Sequence, residues 1–122
     1  MHSVLGKSRV CDLTFHQTGR IDISATASKH LHLNSGDVID ILCDDRGEWY
    51  LYVKVRQPNG KHKASVYRTN KHGCCYRTNS KALTNAVLKE CGATSIARLA
   101  VANPIINEQY GTLLPLITRL LL

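Results

Sequence analysis

The stretch from Gly19 to Ile41 constrains the fold of this chain more than any other. Ile21 and Ile23 alternate with Arg20, Asp22 and Ser24, which is the period of a half-buried strand. Ser24 is an N-cap for a short helix over residues 25–31, because its hydroxyl can accept from a free N–H of the first turn. Asn34-Ser35-Gly36-Asp37 supplies turn chemistry, with Gly36 free to take positive φ. Val38, Ile39 and Ile41 then rebuild a strand.

This pattern resembles the AbrB/MazE (SpoVT-AbrB) family of swapped-hairpin proteins. The likeness rests on Gly19-Arg20-Ile21-Asp22-Ile23, Leu31-His32-Leu33 and Gly36-Asp37-Val38-Ile39-Asp40-Ile41. Asp44-Asp45 and Glu48-Trp49-Tyr50-Leu51-Tyr52-Val53 continue it as the family's last hairpin. It spans residues 10–55, under half the chain. Ser24 stands where the family usually has Pro, and His32 where it often has Gly. The resemblance implies an interlocked barrel to which two chains each give one such unit, and it implies DNA binding. Arg20 and Lys29 match basic positions of the DNA-binding members, whereas Leu13, Thr14 and Ser28 occupy other such positions and are not basic.

Before this unit, residues 1–9 read as a flexible arm. Val10 to Phe15 alternates and reads as a strand burying Cys11, Leu13 and Phe15. After it, Asp44-Asp45-Arg46-Gly47 joins two strand runs. In the second run Trp49, Leu51, Val53 and Val55 are expected in the core, with Tyr50, Tyr52, Lys54 and Arg56 facing out. Pro58-Asn59-Gly60 predicts another hairpin, returning as a strand over residues 63–70 that is broken at Lys71-His72-Gly73.

The remainder echoes the beginning. Residues 74–77 form an extended run, and Asn79 or Ser80 caps a helix over residues 81–91 with Leu83, Ala86, Val87 and Cys91 on its apolar face. Gly92 ends that helix. Ile96, Leu99 and Val101 mark a strand region, and residues 113–117 a last strand placed at an edge by Pro115. Strand, helix, glycine turn and strand thus occur twice, with Gly36 and Gly92 as counterparts. The expected fold is α+β: a small strand-rich, barrel-like fold with a swapped-hairpin AbrB-like core and two short helices, holding a degenerate internal duplication. The expected organisation is an AbrB-like unit over 10–57 and a second strand-helix-strand unit over 58–122 packed on it.

Charge is the sharpest functional signal. The net charge is +7 over 122 residues. Residues 1–60 carry seven Lys/Arg and seven acids, whereas residues 61–122 carry nine Lys/Arg against Glu90 and Glu108. Within residues 54–81 lie Lys54, Arg56, Lys61, Lys63, Arg68, Lys71, Arg77 and Lys81, with no acid among them. Cations on strands and hairpin tips can track phosphates, and the interleaved Tyr67 and Tyr76 are candidates for stacking on bases. The competing account is a solvated surface with lysines guarding a sheet edge. Arg20 has a competing account too, pairing with Asp22.

Other chemistries find less in the chain. His72-x-Cys74-Cys75 and His30-x-His32 are the tightest His/Cys groupings, and neither has structural zinc spacing. No metal or other cofactor is expected. Nucleophile-elbow, phosphate-loop and zincin motifs are absent from the sequence, so no catalytic residue is assigned and an enzyme is not expected. Asp37, Asp40, Asp44 and Asp45 fit turns and strand ends. The five cysteines form no even framework and the N-terminus lacks a long apolar core, so reduced thiols in a cytoplasm are expected. No apolar run reaches the roughly 18 residues of a membrane span.

The reading is a DNA-binding protein, an AbrB-type transcriptional regulator that contacts duplex phosphates through its basic central region, with Arg20 and Lys29 adding family-type contacts. It would act as a homodimer or a single-chain pseudo-dimer. The alternative is a non-enzymatic interaction or assembly module, antitoxin-like or structural, whose basic face binds an acidic protein.

Overall fold

The computed structural model describes residues 11–59, 63–69 and 75–119. The residue 1–9 arm, the Lys71-His72-Gly73 break, and Lys61 and Lys71 of the basic run lie outside them. Strands β1 (Leu13–His16) and β2 (Arg20–Ile23) form the first hairpin and lead into helix α1 (Ala25–His30). Strands β3 (Val38–Cys43) and β4 (Trp49–Val55) form the second. Then follow β5 (Tyr67–Arg68), β6 (Tyr76–Asn79), helix α2 (Lys81–Cys91), β7 (Ile96–Val101), β8 (Ile105–Asn107) and β9 (Gly111–Ile117).

The strands make one curled, half-barrel sheet in the order β3-β4-β9-β7-β1-β2-β6-β5, with β8 also on β9. Strand pairs from residues 10–57 and 58–122 therefore alternate around a single sheet. The segment before β5 ties the ends together. Gly36 N–H donates to Val66 O (2.7 Å), Val66 N–H to Asp37 O (2.8 Å) and Ile39 N–H to Ala64 O (3.1 Å). From the other end the Thr78 hydroxyl donates to Ser65 O at 2.7 Å. Leu13, Phe15, Ile21, Ile23, Ile39, Leu51, Leu99 and Leu114 fill the inside of the curl, joined by Leu31 beyond α1 and Val87 of α2.

The helix caps follow the sequence. The Ser24 hydroxyl accepts from Ala27 N–H and the Ser80 hydroxyl from Leu83 N–H. Both helices end in a Schellman motif. After α1, His32 N–H donates to Lys29 O and Leu33 N–H to Ser28 O; after α2, Gly92 N–H donates to Lys89 O and Ala93 N–H to Leu88 O. The left-handed residue is His32 (φ 52°) in one and Gly92 (φ 67°) in the other. The counterpart of Gly92 is therefore His32, while Gly36 (φ 95°) serves the later turn into β3.

Several expectations change in the folded chain. Pro115 lies within an interior strand, since β9 pairs with β4 on one side and with β7 and β8 on the other. Its carbonyl accepts from Ala102 N–H at 2.9 Å, so its missing N–H falls at the break between β7 and β8, where it interrupts no continuous ladder. β4 does not form a hairpin with residues 63–70. Both its edges are taken by β3 and β9, and the chain turns away at Gln57 (φ 40°) and Pro58. Among the described residues of that segment only Tyr67–Arg68 is strand, and it pairs with β6.

Three burial expectations change as well. Tyr52 is buried and Val55 exposed, because β4 is covered near Tyr52 by the edge-on ring of Tyr110 at 5.4 Å. On α2 the buried positions are Thr84, Val87 and Leu88, with Ala86 exposed. Asp12 is buried too, accepting from the Ser24 hydroxyl and Val101 N–H where the start of α1 meets the end of β7. Cys11, Cys43, Cys75 and Cys91 are free thiols. Among the described residues no helix is long and apolar enough to cross a membrane.

Candidate nucleic-acid interface

On one side of helix α1 the exposed Ala25 and Lys29 flank the buried Ser28, and the exposed His32 continues the helical spacing just beyond the helix end. Facing them are Arg68 of β5 and Tyr76 of β6, with Leu33 and Cys75 completing a groove of about 590 Å³. None of its lining residues is acidic. Within it the Arg68 guanidinium carbon lies 5.9 Å from the centroid of the Tyr76 ring, within cation–π range. Tyr76 is buried in the core and Arg68 is exposed. Tyr67 is exposed but precedes Arg68 on the same strand, so it points to the opposite face.

A second recess of about 340 Å³ lies at the start of α2, where Lys63 and Lys81 meet Thr18, Gly19 and Asn79. Tyr76 and Asn79 are the two ends of β6, which places the recesses ~10 Å apart along that strand.

Three other predicted cations are committed to the protein's own carboxylates and carbonyls. Arg77 donates through Nε to Asp22 Oδ1 at 2.6 Å, across the β2–β6 ladder. The buried Arg20 Nε faces Asp22 Oδ2 at 3.4 Å, and Arg20 Nη2 reaches His16 Nε2 at 3.0 Å. Burial raises the Asp22 pKa, but hydrogen bonds from Arg77 and His16 and the charges of Arg77 and Arg20 outweigh it, holding the carboxyl below the usual range. Arg56 donates from Nη1 to His32 O (2.7 Å) and Asp37 Oδ2 (2.8 Å), and from Nη2 to Leu31 O (2.8 Å). It is a strut between the end of α1 and the fully buried Asp37. Lys54 sits 3.8 Å from Asp40 and is largely exposed.

The fold thus gathers Lys29, Arg68 and Tyr76 in one groove and Lys63 and Lys81 in a neighbouring recess, and ties Arg20, Arg56 and Arg77 into internal networks. The groove residues absent from the sequence-based set are Ala25, Ser28, His32, Leu33 and Cys75. The helical spacing of the first three with Lys29 is the signal that points to them. Among the described residues no group of three or more His, Cys, Asp or Glu side chains is placed to hold a metal ion. Comparisons with protein families, with curated proteins and with solved structures find no match for this chain.

Proposed function

We propose that this protein binds nucleic acid through the groove between α1 and the β5–β6 pair, as a transcriptional regulator of the AbrB type. The observation that carries the reading is the convergence of Lys29 and Arg68, from distant parts of the chain, on one acid-free groove. Paired cations flanking a concave surface neutralise a phosphate backbone and make binding steeply salt-dependent. Lys63 and Lys81 extend the positive surface along β6.

The resemblance to the swapped-hairpin family gains support from local geometry. His32 takes the left-handed conformation at the place where that family often has Gly. An internal duplication is supported by the pairings. The hairpin β1–β2 has a counterpart in β5–β6, and β3–β4 in β7–β9. The pairing of β1 with β7 has a counterpart in the hydrogen bonds between residues 64–66 and the start of β3. On this reading one chain supplies both units, and light scattering returns a monomer.

The test is fluorescence anisotropy with labelled random-sequence nucleic acid across a salt series. Lys29→Ala and Arg68→Ala are expected to weaken binding and to reduce the slope of log K against log salt by about 1 each. Arg56→Ala is expected to leave the slope unchanged. Absence of binding at low salt would sink the reading and turn attention to acidic protein partners.

A further inference from the structure

We infer that the α1/β5–β6 groove accepts an unpaired nucleotide of a single strand, its base against Arg68 and its phosphate at Lys29. This rests on the nucleic-acid binding proposed above and puts a single strand in place of the duplex that an AbrB-type regulator contacts. The groove is a concavity of about 590 Å³, the size of a small-ligand pocket. A duplex offers a broad convex surface with its bases stacked inside, so it can touch the rim but cannot enter. An unstacked base can.

The groove has the surfaces such a base needs. Arg68 lies over the buried Tyr76 ring and is exposed on the groove side. A guanidinium held within cation–π range of an aromatic ring presents a planar face on which any base can stack. Leu33 and Ala25 add apolar wall, while Lys29 and His32 stand on the α1 side, where a backbone phosphate would lie. Their place among the cations makes Tyr67 and Tyr76 the stacking candidates of the sequence. Tyr67 points away from the groove and Tyr76 is buried beneath Arg68, so the guanidinium takes that role here.

The experiment compares three labelled probes of equal length on the full chain at one salt concentration: a thymidine single strand, a strand with the same phosphates but no bases, and a duplex. The thymidine strand is expected to bind at least ~5-fold more tightly than the abasic strand, the share of one stacked base. It is also expected to bind more tightly than the duplex. Arg68→Lys keeps the charge and removes the plane. It is expected to collapse the thymidine-to-abasic ratio towards one while the salt slope stays unchanged. Free thymidine monophosphate separates a lone nucleotide from a strand, and stronger binding of the monophosphate than of the strand would overturn the proposal. Equal binding of thymidine and abasic strands, an Arg68→Lys ratio like wild type, or preference for the duplex would also overturn it and leave the broader nucleic-acid reading standing. Binding to none of the probes would remove both.

Discussion

Asp22 and Arg77 stand directly opposite each other in the β2–β6 ladder, with Arg77 Nε 2.6 Å from Asp22 Oδ1 and both side chains mostly buried. This pair joins the two halves of the chain at one of the seams where their strands meet. Arg20 and His16 close around the same carboxylate.

Asp22→Asn is therefore expected to destabilise the protein by about 1–3 kcal/mol at neutral pH, because Arg77 loses its counter-charge in a mostly buried place. The folded pKa of Asp22 is lowered. Its contribution is thus present above the unfolded value of about 3.9 and is lost as pH falls through the folded value. Urea denaturation of wild type and variant at neutral pH and at about pH 2 checks this. A loss of equal size at both would mean that charge is not its cause.

The two Schellman motifs make opposite predictions for the same substitution class. His32 pays for a left-handed conformation that Gly adopts freely, so His32→Gly is expected to stabilise by about 1 kcal/mol. Gly92→Ala, with open space around its Cβ position, is expected to destabilise by a similar amount through backbone strain alone. Thermal melts of both variants decide it; a destabilised His32→Gly would contradict the strain argument.

Arg56→Ala is expected to cost about 2–3 kcal/mol, because three charge-assisted hydrogen bonds vanish and the fully buried Asp37 loses its guanidinium partner. Denaturant midpoints measure the loss. A variant as stable as wild type would show that the strut between α1 and Asp37 is dispensable.

Thr78→Val keeps the shape of a buried side chain and removes its bond to Ser65 O. A cost of about 1 kcal/mol is expected. Hydrogen exchange should rise at Val66, Gly36 and Ile39, whose N–H groups tie the ends of the sheet. Unchanged exchange at all three would mean that the closure holds without Thr78.

Much of the local structure is legible in the residues. Ser24 and Ser80 declare both helix starts, because their hydroxyls satisfy N–H groups that the first turn leaves free. Gly92 declares one helix end. The turn at Asp44 is legible as well, its carboxylate accepting from Arg46 and Glu48 N–H groups. The end of α1 is harder to read, since His32 fills a position that glycine usually marks.

The sequence by itself determines the alternation of strands, the two capped helices and the excess of cations in the second half, since each depends on residues near one another in the chain. The tertiary structure alone decides which cations line an open groove and which are tied to the protein's own carboxylates. Arg56 and Arg77 look no different from Lys29 and Arg68 in the sequence, whereas Arg20 has Asp22 only two residues away. Each of the three meets a carboxylate in the fold, and two of those pairings, Arg56 with Asp37 and Arg77 with Asp22, are long-range. Pro115 makes the same point for the sheet. A missing N–H excludes it only from a ladder that needs one, and that need is set by the break between β7 and β8.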